Sequence, residues 1–208
     1  MLVFLAALFF LLITPGPGVL STAGVGAAYG REAGYRYVAG LCLGTNLVAL
    51  AVVTGLAALM LAEPALRGAL LALSVGYIAW LALRIGLAGS TVAFVGSARA
   101  PGIVDAVALQ AINPKAYVVN TTLFTGFAFG SMSPSAETLW KFALINLVWV
   151  PIHLAWLEAG IALERLALSP ERQRAVNLAM AASLLAVVAL ALLAGAGGGA
   201  DGRVGAAR

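Results

Sequence analysis

Two short segments carry the residue types that could hold a small anion inside an otherwise apolar chain. They are Thr14-Pro15-Gly16-Pro17-Gly18 and Asn113-Pro114-Lys115. Proline has no N–H and clashes with the carbonyl four residues back, so each segment ends or kinks a helix. Lipid cannot satisfy the backbone groups that such a break releases. Non-helical backbone persists at membrane depth only where it is packed in protein or lines a cavity. Asn113 is an N-cap type and Pro114 suits the first helical position, so this segment predicts the start of a half-helix. Thr14-Pro15 predicts a similar cap-plus-proline pair, with Gly16 and Gly18 permitting tight turns. The N-terminus of a half-helix carries partial positive charge and free N–H donors, which suit a carboxylate. Two of them meeting near the midplane would form a cradle for an anion.

Lys115 adds a compact cation at the second break, able to meet a substrate carboxylate directly. A lysine deep in a span costs about 2.5–3.5 kcal/mol and usually faces a cavity or a partner; the alternative is a side chain that snorkels to the interface. Glu158 is the acidic candidate for a substrate ammonium or a proton, or else pairs at the interface with Arg165 or another loop arginine. His153 is the single histidine. It cannot form a multi-histidine metal site, which leaves a packed residue or a proton relay. Asn46 follows Gly40, Gly44 and Thr45, and either lines the cavity or bonds a neighbouring helix. Glycines four apart serve close helix packing, within one chain or across a homodimer. Cys42 is the single cysteine, so no intrachain disulfide or thiolate metal site is expected.

The elements that must position these residues are membrane helices. Of 208 residues, 62% are apolar and 10% charged, and the mean hydropathy is +1.03. A soluble domain is about 25% charged, so lipid must be the main solvent here. Residues 1–30, 37–62, 116–136 and 175–200 are free of charge, each long enough for a span of about 20 residues. The pattern predicts six spans, about 3–27, 37–61, 67–88, 106–130, 139–161 and 175–195. A cleaved signal peptide is not expected, because no basic region precedes the first apolar run and that run continues past the Pro-Gly segment. Residues 1–194 form a single transmembrane domain with halves at about 1–88 and 106–194, a joint at 89–105, and a disordered tail at 195–208. Each half has an odd number of spans and opens with a proline-broken one. The fold class is therefore all-α, with six helices in two inverted three-helix repeats and breaks in helices 1 and 4.

Arg31, Arg36, Arg84, Arg99, Arg165, Arg172 and Arg174 fall on one side of this layout, and Arg67, Lys141, Arg203 and Arg208 on the other. The richer side should be cytoplasmic, which puts both termini outside. The net charge of +4 reflects this bias, and no basic cluster with interleaved aromatics points to nucleic acid.

In these residues the chain resembles the lysine exporter family, also called the homoserine/threonine resistance family of amino-acid translocators. The matching elements begin with Thr14-Pro15-Gly16-Pro17 and Tyr29-Gly30-Arg31-Glu32-Ala33-Gly34. They continue through Gly40 and Gly44, Gly76-Tyr77-Ile78-Ala79-Trp80-Leu81, and Gln110-Ala111-Ile112-Asn113-Pro114-Lys115-Ala116. The resemblance implies a small multi-pass carrier of the bacterial inner membrane that exports amino acids or close derivatives, driven by the proton-motive force. Members often carry aspartate or asparagine after Pro-Gly-Pro, where this chain has Gly18. Any contact made by that side chain is missing.

A secondary exporter with alternating access, substrate held between the breaks, is the expected function. The partners would be an amino acid, protons and the bilayer, with no cofactor. A divalent-cation exporter is the alternative, although hard cations want several oxygen ligands and soft ones want thiolates. An enzyme is not expected: there is no His-Glu-x-x-His or Gly-x-Ser-x-Gly motif, and His153 and Glu158, five apart, share no helix face.

Overall fold

A computed structural model describes residues 1–87, 99–130, 132–166 and 168–197. Among them every regular element is an α-helix: α1 (Leu2–Ile13), α2 (Pro17–Val53), α3 (Leu56–Ala62), α4 (Pro64–Leu87), α5 (Ile103–Ile112), α6 (Pro114–Thr125), α7 (Pro134–Arg165) and α8 (Pro170–Gly197). Three of these, α2, α4 and α7, are long and apolar enough to cross a membrane. The shorter α1 and α5 are apolar helices of 12 and 10 residues, about 15–18 Å each, which is half a hydrocarbon core. Most of the expected joint and tail lies outside the described residues. Residues 195–197, expected to begin the tail, belong to α8.

Both expected breaks are present. α1 stops at Ile13 and α2 starts at Pro17; α5 stops at Ile112 and α6 starts at Pro114. The expected loop between the first two spans is a bend instead. α2 runs through it, interrupted at Gly30 with φ 75° and ψ −171°, a conformation open to glycine and strained for other residues. Straight, its 37 residues would reach about 55 Å, far beyond the ~30 Å core. The bend divides it into a half-length stretch after the first break and a full-length stretch after Gly30. The second expected span ends early, because Gly55 at φ 75° closes the helix and α3 follows.

α2 packs along α7 and α5, while α4 packs on α8. The α2–α7 contact is backbone to backbone: a Cβ at Gly160 would lie 2.0 Å from the Ala23 carbonyl oxygen. On the α5 side a Cβ at Gly40 would lie 2.6 Å from the carbonyl oxygen of Ile103. Helices approach this closely in lipid only where side chains are absent. Asn46 of α2 and Asn146 of α7 exchange two amide hydrogen bonds of 2.8 Å each.

Lys141, expected among outer loop charges, is instead 2% exposed. It donates to the carbonyls of Phe124, at 2.9 Å, and Phe127, and pairs with Glu137 at 2.7 Å. It thus closes the C-terminal end of α6, where helix carbonyls lack partners and a cation is favoured.

Candidate functional site

The second break forms as its residue types require. Asn113 is the N-cap of α6, its side-chain oxygen accepting from the Lys115 N–H at 3.1 Å, with Pro114 in the first position. The Asn113 amide nitrogen donates to Gln110 Oε1 at 2.8 Å, which ties the end of α5 to the start of α6. The first break is arranged differently. Thr14 does not cap α2; its hydroxyl turns back to the Phe10 carbonyl at 2.6 Å and finishes α1. Gly16 in extended conformation is the N-cap, Pro17 follows, and no side chain caps α2 among the described residues. An uncapped helix start of this kind offers its N–H groups to an anion.

The two breaks meet. Lys115 Nζ donates to the Thr14 carbonyl, a group that the break removes from the α1 ladder. The lysine stem lies across the first break so closely that a Cβ at Gly16 would be 2.9 Å from its Cδ. Gly16, Gly18, Asn113 and Lys115 line one cavity of about 40 Å³, enough for about three waters. Pro15, Pro17 and Pro114 set its backbone without being part of that lining.

His153 of α7 is part of this wall. It is 4% exposed and stacks on Trp149, with ring centroids 3.4 Å apart and planes 12° from parallel. Its Nδ1 lies 2.9 Å from the Trp149 carbonyl. A carbonyl can only accept, so Nδ1 carries the hydrogen, and in the neutral ring Nε2 keeps its lone pair. The place a Cβ would take at Gly18 is 3.6 Å from His153 Nε2 and 3.8 Å from Gln110 Oε1. The missing side chain after Pro-Gly-Pro therefore leaves these two polar atoms facing the cavity.

The other two sequence candidates lie elsewhere. Asn46 bonds Asn146 and is not in the lining. Glu158 pairs with Arg31, next to the α2 bend, through bonds of 2.8 and 2.7 Å, in the forked geometry that arginine and carboxylate favour. Its partner is thus one of the expected loop arginines, Arg31 rather than Arg165. Three polar residues that sequence reasoning left without a role, Thr45, Gln110 and Asn120, line the cavity. Gln110 sits one turn before Asn113 and so shares its face, a spacing that could have identified it.

A sequence model of the LysE type translocators matches residues 9–195. The chain belongs to the LysE type translocator family. Both breaks and the whole cavity wall lie inside the matched region. No curated protein and no solved structure matches the chain. At the level of the family this translocator is a multi-pass membrane protein of efflux type.

Proposed function

We propose that the translocator is a secondary exporter of amino acids or their close derivatives across a bacterial inner membrane, coupled to inward proton movement. In this proposal the chain crosses the bilayer six times. α1 with the first stretch of α2 makes the first crossing, the rest of α2 the second and α4 the third. α5 with α6, then α7, then α8 repeat the pattern in inverted sense. The reciprocal Asn46–Asn146 pair supports this, since it joins the second crossing of each half.

The observation that carries the proposal is the Lys115 ammonium of one break resting on the Thr14 carbonyl of the other. A substrate carboxylate would exchange with that carbonyl, gaining the ammonium and the open first turn of α2 together. The substrate ammonium would turn to Gln110 Oε1, and His153 Nε2 would take and release the coupled proton. A cavity of about 40 Å³ is too small for an amino acid, so loading requires the halves to part at the Lys115–Thr14 contact. That contact is thus both anion site and latch.

The test is purified protein in liposomes loaded with a panel of amino acids, with efflux followed under a pH gradient. Wild type should move at least one of them, and Lys115→Ala at equal abundance should fall to the level of empty liposomes. Normal efflux by the variant would remove Lys115 from the mechanism. Metal flux without amino-acid flux would favour the cation alternative. Among the described residues, however, no three His, Cys, Asp or Glu side chains converge.

A further inference from the structure

A second cavity, about 460 Å³ in volume, lies beside the one at the breaks. α5 separates them through its own periodicity. Asp105, Ala108, Leu109 and Ile112, at spacing i, i+3, i+4 and i+7, line the larger cavity, whereas Gln110 and Asn113 line the smaller. α2 divides in the same way, with Gly18 on the small cavity and Ser21, Val25 and Tyr29 on the large one. One helical turn is the partition, held by the Ser21 hydroxyl donating to the Gly18 carbonyl at 2.9 Å.

The walls of the larger cavity bring three chemistries together. Tyr77 and Trp80, with ring centroids 5.6 Å apart, form an aromatic side together with Tyr37. The Arg84 guanidinium lies 5.2 Å from the Trp80 ring centre. Asp105 accepts from the Gly102 N–H at 2.7 Å and from Arg99 at 3.2 Å, and its side chain remains 49% exposed. A site for a simple anion would not place a carboxylate among its arginines, because like charges repel. Both signs beside an aromatic wall suit a molecule with a carboxylate, an ammonium and an apolar body. The volume falls in the range of about 300–1,000 Å³ usual for small-molecule sites.

We propose that this cavity is a loading site, on the arginine-rich side, for a zwitterionic amino acid with an aromatic or bulky apolar side chain. The carboxylate faces Arg84, the ammonium faces Asp105, and the side chain lies on Tyr77 and Trp80. The transfer from here to Lys115 rests on the exporter reading, but binding in the cavity does not require Lys115. A phosphatidylethanolamine headgroup carries the same two charges and is the rival source of this chemistry.

The test is equilibrium dialysis of the full chain in lipid-free detergent with radiolabelled L-phenylalanine, 3-phenylpropionate and phenethylamine. Phenylalanine should bind at least tenfold more tightly than either single-charge analogue. Arg84→Gln and Asp105→Asn should each weaken it tenfold or more, and Arg84→Lys should recover part of the loss. The site is overturned by no binding up to about 10 mM, by equal affinity for the analogues, or by indifference to both substitutions in folded protein. None of these touches the exporter reading, which fails instead if liposomes release no amino acid. Repeating the assay in nanodiscs separates the rival: phosphatidylethanolamine that excludes phenylalanine assigns the cavity to lipid and overturns the proposal.

Discussion

At the scale of single residues, His153 makes the sharpest claim on coupling. Its Nδ1 is committed to the Trp149 carbonyl and its ring is held flat on Trp149, so Nε2 has a fixed aim toward the space beside Gly18. Glutamine in its place would fill similar volume but could not cycle a proton near neutral pH. His153→Gln should therefore lose at least tenfold in efflux driven by a pH gradient while keeping exchange of labelled for unlabelled substrate. Equal losses in both assays would make His153 a packing residue. Lys115 and Asn113 could be read from the sequence because polar residues beside a proline stand out in an apolar run. Thr45 and Asn120 could not, since a lone polar side chain in a span gains meaning only once its helical face is known. The burial of Lys141 was hidden for a related reason: nothing in the sequence shows that it folds back onto α6 carbonyls. A loop arginine was expected as the partner of Glu158, but which one was open: Arg31 is 127 residues away, and only the α2–α7 packing brings the two together.

At the scale of elements, the small residues decide how closely α2 and α7 approach, and so where His153 stands relative to the breaks. Gly160→Val would drive a branched side chain into the Ala23 carbonyl, already 2.0 Å from the place a Cβ would take. Backbone cannot swing aside as a flexible side chain can, so the helices must separate. The expected cost is about 1–3 kcal/mol or more, read as a lower midpoint of thermal unfolding in detergent. Gly76→Ala is the control: nothing lies within 4 Å of its Cβ position, and alanine favours the helix by about 1 kcal/mol. Equal midpoints for wild type and Gly160→Val would mean the two helices do not meet here. Glycine spacing in the sequence signalled close packing at Gly40 and Gly44, but not at Gly160, which has no glycine four residues away and yet meets backbone. The sequence marks Gly30 as a packing or turn residue, but does not show that helix resumes directly after it. Its neighbours on both sides favour helix, including the Arg36–Glu32 pair one turn apart, so the turn resides in the φ of a single residue.

At the scale of the whole molecule, orientation decides the direction of transport. If the arginine-rich ends face the cytoplasm, α5 and the first stretch of α2 occupy the inner half of the bilayer, and α1 and α6 the outer half. The cavity of about 460 Å³ then opens inward, and the contracted one at Lys115 lies beyond it on the way out. That is the order an exporter needs: a roomy site reached from the cell interior, then a latch. The same fold turned over would describe an uptake system, so the claim stands on a labelling experiment. Cys42 is the single free thiol, and Cys42→Ala gives a clean background. Leu2→Cys, at a position 83% exposed, should react with a membrane-impermeant maleimide on intact cells. Arg172→Cys should react only after the membrane is opened. The opposite pattern would place the large cavity outside and remove export as the direction of travel. It would leave the meeting of the two breaks, and the chemistry assigned to Lys115, unchanged.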